Sequence, residues 1–129
     1  MQTKEIIELV RTKLESHTEI VFAYLFGSAV ESDSPNDIDI AVYLRNPDLL
    51  KTKPLYDVRL SNELEAVIKK PVDVVVINKA PDHLIHQISK GILMLNKDDD
   101  MRVDFITSSW KKYFEIAPKR REWLKETSN

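Results

Sequence analysis

Along the first third of the chain the hydrophobic pattern changes its period. Residues 4 to 15 carry Ile6, Leu9, Val10 and Leu14 at helical spacing with charged residues opposite, which predicts an amphipathic helix. From Glu19 to Phe26 the residues are almost all apolar, rich in β-branched and aromatic types, and the run stops at Gly27. That composition predicts a central strand buried on both faces. Ser28 to Ser32 is read as one helical turn, Ser34-Pro35-Asn36 as turn chemistry, and residues 37 to 44 as a second strand.

Beyond it, Asn46 to Pro54 reads as a loop with a helical turn in Asp48 to Thr52. Tyr56, Leu60, Leu64 and Val67 then recur at three- and four-residue intervals, Lys69-Lys70 suits a helix C-terminus, and Pro71 stops the helix. Residues 72 to 77 form a short β-branched strand with one charge, Asp73, inside it. Pro81-Asp82 opens a helix with Leu84, Ile85 and Ile88, which Gly91 is placed to cap. Ile92 to Leu95 reads as a strand and Asn96 to Asp100 as a tight acidic connection. From Arg102 a last helix sets Val103, Ile106, Trp110, Tyr113 and Phe114 on one side. Ala117-Pro118 is expected to break it, leaving a short helix with Trp123 and Leu124. Strands interleaved with helices predict an α+β fold, a small mixed β-sheet flanked by helices.

The chain has 129 residues, which sets the expectation of a single domain over 1–129 with a C-terminal helical segment at about 101–126. It leaves no room for separate catalytic and substrate-grasping lobes. The formal net charge of −2 argues against a general nucleic-acid binder, so no direct nucleic-acid contact is expected. Cysteine is absent, which removes disulfides, thiolate zinc sites and a cysteine nucleophile from consideration. No stretch approaches 18 apolar residues and the N-terminus lacks a signal-like core, so no membrane association and a cytoplasmic location are expected.

The candidate chemistry lies in Tyr24 to Leu44, YLFGSAVESDSPNDIDIAVYL. In a strand alternate side chains share a face, so Asp37 and Asp39 point the same way, with α-carbons about 7 Å apart. Carboxylates held that close repel and raise one another's pKa unless a cation intervenes, and hard oxygen ligands select Mg²⁺ or Mn²⁺. Gly27 permits a sharp turn and close backbone approach, and Ser28 offers a hydroxyl and free N–H groups to an anion. Gly27 and Ser28 thus read as a phosphate seat beside a divalent-metal site. A third carboxylate, Asp73, would cost several kcal/mol in an interior strand without a partner. It could join the same cluster if its strand pairs beside the first.

This segment resembles the signature of the polymerase-beta-type nucleotidyltransferases, and most closely the minimal nucleotidyltransferases (MNT) encoded as antitoxins beside HEPN-domain toxins. The family pattern is Gly-Ser, usually about ten residues, then Asp-x-Asp; here Ala29 to Asn36 supplies eight. The resemblance implies a polymerase-beta-type palm in which Asp37 and Asp39 bind two cations and Asp73 binds the one next to the acceptor hydroxyl. It implies ATP as substrate and AMP transfer to a tyrosine of a cognate HEPN ribonuclease toxin. So small a body further implies that the partner brings or shapes the acceptor. Two other readings remain open: an antitoxin that neutralises its toxin through complex formation alone, and a nucleotidyltransferase acting on a small molecule.

Other polar groups read more plainly. Asp98, Asp99 and Asp100 are expected to be solvated charge in a turn, His83 and His86 a solvated or hydrogen-bonded surface pair, and His17 a favourable charge at a helix end. The Trp110, Tyr113, Phe114 stripe reads as core. Arg45, just past the second strand, faces either solvent or triphosphate. Trp123, flanked by Lys119, Arg120, Arg121 and Lys125, is either a protein-binding surface or a helix folded back on the sheet.

Overall fold

A computed structural model, describing residues 1–127 along the backbone and 1–115 with their side chains, arranges four strands in the order β3-β2-β1-β4. Strand β1 (Ile20–Phe26) pairs antiparallel with both β2 (Ile38–Leu44) and β4 (Ile92–Asn96), while β2 and β3 (Val72–Val76) run parallel. The sheet is therefore mixed. Its helices are α1 (Thr3–Glu15), the short α2 (Leu49–Thr52), α3 (Tyr56–Ile68), α4 (Asp82–Ser89) and α5 (Asp99–Thr127). This is the α+β arrangement expected from the order of periodicities.

Alternation along the strands divides the core in two. Ala23 and Leu25 of β1, Ile38, Ile40, Val42 and Leu44 of β2, and Val72 and Val74 of β3 face α1 and α3, whose Ile6, Val10, Leu14, Leu60, Leu64 and Ile68 close over them. The opposite face carries Phe22, Tyr24 and Ala41 against Ile85, Ile88 and Ile106 of α4 and α5. On that side Phe22 stacks on Tyr43 with ring centroids 4.7 Å apart, and Phe105 packs edge-on against Tyr43 at 4.9 Å. Strand β1 is buried on both faces, as its unbroken apolar run predicts.

Several helix faces are rotated from expectation. Leu9 is exposed, Ile68 rather than Val67 completes the buried stripe of α3, and Phe105 rather than Val103 reaches the sheet from α5. A three- or four-residue step admits more than one apolar choice, and the neighbouring layer decides between them.

Helix α5 begins at Asp99, three residues before the expected Arg102. Asp98 Oδ1 accepts the Met101 N–H at 3.0 Å, so the acidic run is a helix cap and first turn rather than a connecting loop. Carboxylates there satisfy free N–H groups and complement the positive end of the helix. Asp99 also accepts from Asn96 and Arg102, and the Arg102 hydrogen bond lowers its pKa. At the other end the backbone stays helical through Pro118 to Thr127, so the expected break does not occur. Proline removes one ladder bond and strains one turn, and the flanking residues are good helix formers that carry the helix past it. The surface expected around Trp123 lies outside the described side chains.

His86 is not at the surface. It is buried, stacked on Tyr113 at 4.3 Å and packed against Trp110 at 4.9 Å, while His83 is exposed. The two histidines share a helix, but α5 covers only one of them. His17, expected merely to decorate a helix end, bridges Glu19 and Glu63 at 3.0 Å each, and Tyr56 donates to Glu19 at 2.7 Å. Burial pushes the Glu19 carboxyl up, but the hydrogen bonds from Tyr56 and His17 more than offset it and leave the pKa lowered.

Gly91 is needed for space rather than for a left-handed cap. A Cβ there would lie 2.1 Å from the Leu25 carbonyl oxygen, where the α4–β4 junction crosses the end of β1. Gly91→Ala should therefore cost about 1–3 kcal/mol by overpacking, read as a lower urea midpoint with unchanged slope. Burial, with Lys90 adding repulsion, lowers the His86 pKa. The folded state thus binds the proton less well than the unfolded chain, and stability present above about pH 6.5 falls as the pH drops through that value. In urea titrations between pH 7.5 and 5.5, His86→Phe should lose part of the wild-type decline.

Candidate functional site

The second strand begins at Ile38, so Asp37 sits in the bend before it rather than within the strand as expected. Asp39 is the strand's second residue. In the parallel pairing Asp39 lies opposite Asp73, with Ile38 opposite Val72 and Ile40 opposite Val74. Aligned residues on adjacent strands project to the same face about 4.8 Å apart. Asp39 and Asp73 therefore emerge side by side on the face opposite α1 and α3, at the starts of their strands.

Asp37, Asp39 and Asp73 line one open cleft of about 540 Å³ together with Ser28, Ile38, Pro71 and Val72. Asp39 is half-buried, whereas Asp37 and Asp73 are exposed. Burial raises the pKa of Asp39, and repulsion from Asp73 and then Asp37 raises it further. Negative charge is thus concentrated at one spot. Carboxylate oxygens alone make up the charged donor set, which suits a hard divalent cation. Among the described residues, however, no three His, Cys, Asp or Glu side chains are grouped closely enough to hold a metal ion. The three carboxylates fit a cation in kind and placement, and their side chains would have to draw together around it.

Gly27 and Ser28 reach the cleft from the neighbouring strand. Phe26 pairs with Asp39, and the chain turns immediately afterwards into a single 3₁₀ turn, Gly27–Val30. Gly27 adopts φ +75°, a left-handed conformation that favours glycine, and a Cβ there would lie 2.5 Å from Asp39 Oδ2. The turn therefore brings backbone against the carboxylate with no side chain between. Ser28 is exposed on the cleft wall.

The short stretch between Ser28 and Asp37 is tied from two sides. The Thr3 N–H donates to the Asp33 carbonyl at 3.1 Å and the Thr3 hydroxyl to the Ser32 carbonyl, while Lys70 Nζ donates to the Pro35 carbonyl at 2.6 Å. The Ile38 N–H donates to the Pro71 carbonyl at 3.0 Å. Lys70 and Pro71 thus help position the carboxylates. Nothing in their sequence context marked them, because the contact joins segments 35 residues apart.

The remaining candidates lie elsewhere. Arg45 follows the far end of β2, six residues from Asp39, about 20 Å away along an extended strand. It lines a different depression with Glu19, Asn46 and Asp48, so it cannot reach a phosphate at the Asp39 end. Asp98 to Asp100 serve α5, and Trp110 donates its indole N–H to Ser89 at 2.9 Å within the α4–α5 contact. Among the described residues no helix is long and apolar enough to cross a membrane.

The family model described as Polymerase beta, Nucleotidyltransferase matches residues 8–100, which contain every residue of this cleft. Comparison with curated proteins finds no match. Among solved structures, a chain of a toxin–antitoxin with AMP-PNP superposes with a TM-score of 0.68 at 21% identity, over 100% of both chains. A chain of the tri-AMPylated Shewanella oneidensis HEPN toxin in complex with MNT antitoxin gives 0.65 at 19% identity, covering 95% of this chain and 99% of that one. A chain of the toxin–antitoxin MntA–HepT gives 0.63 at 21% identity, covering 98% and 97%. At these identities the likeness is one of fold.

Like charges directly opposite one another on paired strands are destabilising. Asp39→Asn should therefore raise stability in metal-free buffer by about 0.2–1 kcal/mol. A lower melting temperature than wild type would mean that Asp39 has a stabilising partner rather than a repelling one.

Proposed function

The chain belongs to the polymerase beta nucleotidyltransferase family, and from that premise we propose that it is an antitoxin that transfers AMP from ATP to a tyrosine hydroxyl of a cognate HEPN ribonuclease toxin. The observation that carries this reading is the register of β2 and β3, which seats Asp39 beside Asp73 in a cleft shared with Ser28 and Asp37. Structures with the same fold, of an MNT antitoxin with a tri-AMPylated HEPN toxin and of a toxin–antitoxin with AMP-PNP, support the choice of partner and nucleotide.

In this reading Asp37, Asp39 and Asp73 hold two divalent cations, Mg²⁺ or Mn²⁺. Bound there, the cations would lower the acceptor's pKa and offset charge developing on the α-phosphoryl group and leaving oxygen. Ser28, through its hydroxyl and the N–H groups of its turn, receives the β- and γ-phosphates. Gly27 keeps the space between that seat and Asp39 free of side chain. The chemical change is a displacement at the α-phosphorus. A bond forms from the tyrosine oxygen, the bond to the pyrophosphate oxygen breaks, pyrophosphate departs and the hydroxyl proton passes to water. Asp39, half-buried at the centre of the three carboxylates, is the residue whose loss should weigh most.

A second reading, neutralisation by complex formation without catalysis, draws on the fact that the described residues hold no ready-made metal cluster. The two separate in one assay, with labelled ATP, Mg²⁺ and a HEPN toxin as acceptor. Label transfer to the HEPN protein should appear with wild type, stop on chelation with EDTA, and fall about 10²-fold or more with Asp39→Asn. Full neutralisation of the toxin by Asp39→Asn, with no label transferred by wild type, would leave only the binding role. Independently of activity, Mg²⁺ should raise the melting temperature of wild type and leave that of Asp39→Asn unchanged.

A further inference from the structure

A second groove, of about 500 Å³, runs along the edge of β3, and among the described residues Asp73 alone lines both it and the cleft of the three carboxylates. We propose that this groove receives the hydroxyl-bearing segment of the acceptor protein, an apolar stretch of chain, while the nucleotide occupies the cleft on the other side of Asp73. The inference rests on the transferase reading above and assigns its second substrate a place.

Transfer between two bound substrates needs two seats that meet where the new bond forms. The walls of the nucleotide cleft carry Ser28 and the paired carboxylates. The groove beyond Asp73 is of a different character, with Leu50, Pro54, Val75 and Leu84 supplying much of its surface. Among the described residues that line it Lys79 is the one cation, set against two carboxylates, Asp57 and Asp73. A second phosphate-rich molecule would find little to neutralise it there, which disfavours RNA as acceptor and favours an uncharged stretch of protein.

Apolar side chains are also exposed beside its lining residues in the sequence. Leu55, next to Pro54, is 60% exposed, and Val58, next to Asp57, is 49% exposed. Uncovered aliphatic side chains next in sequence to residues of a groove suit a protein contact. The mode of docking follows from the strand edge. Outward-facing N–H groups of an edge strand would invite strand addition, but those of Val72 and Val74 already donate to Glu65 Oε1 at 2.9 Å and Ser61 Oγ at 3.2 Å. The acceptor is therefore held by its side chains rather than by backbone pairing along that part of β3.

The test is steady-state AMP transfer from labelled ATP to a HEPN toxin as acceptor, comparing wild type with Pro54→Asp/Lys79→Glu. Both positions are exposed, so the variant should melt with wild type. The expected result is an acceptor KM raised about tenfold or more, with the KM for ATP and kcat unchanged. An unchanged acceptor KM overturns the proposal. So does a raised KM for ATP, which would assign the groove to the nucleotide base, and so does transfer to RNA in place of protein. Failure of the underlying reading looks different: wild type and Asp39→Asn would then both transfer nothing.

Discussion

The parallel register of β2 and β3 is the constraint on which the site depends. It sets Asp39 opposite Asp73, and slipping it by one residue would send one of them into the core beneath α1 and α3. The register is held by apolar side chains. Ile38, Ile40 and Val42 on one strand and Val72 and Val74 on the other must all face the same helices, so burial on one face enforces like-charge proximity on the other. Each buried aliphatic contributes about 1.5–3 kcal/mol. The repulsion between two partly solvated carboxylates is smaller, and burial wins.

The same division of faces explains why the carboxylates stay accessible. Phe22, Tyr43 and Phe105 fill the middle of the second face, whereas the starts of β2 and β3 remain open. Gly27 completes the arrangement by turning the end of β1 away at the level of Asp39. The chain contains only two glycines, and both stand where a Cβ would strike a neighbouring strand.

Much of this was legible in the residues. The continuous apolar run of β1, the alternation of β2 and the lone Asp73 in a β-branched strand state local preferences strong enough for tertiary contacts to preserve. The readings that changed are those where a contact distant in sequence decides the outcome. Nothing near His86 announces that α5 will cover it, and Pro118 reads as a stop only until the rest of the helix is weighed against it. Arg45 looked near the chemistry because it is near in sequence, but a strand separates its ends by its full length. Asp98 to Asp100 resemble a loop until the free N–H groups of the following helix are counted. Lys70 and Pro71 read locally only as the end of a helix.

Thr3 gives the first turn of α1 an unexpected bearing on the carboxylate cleft. Its N–H, which a helix start leaves without an intrahelical partner, is spent on the segment leading to Asp37, and its hydroxyl is spent there too. Any rearrangement of that first helical turn is therefore felt at the mouth of the carboxylate cleft. In engineering terms, a fusion or tag joined directly ahead of Thr3 intrudes on the scaffolding of that cleft, and a spacer that lets α1 begin undisturbed becomes part of keeping it intact.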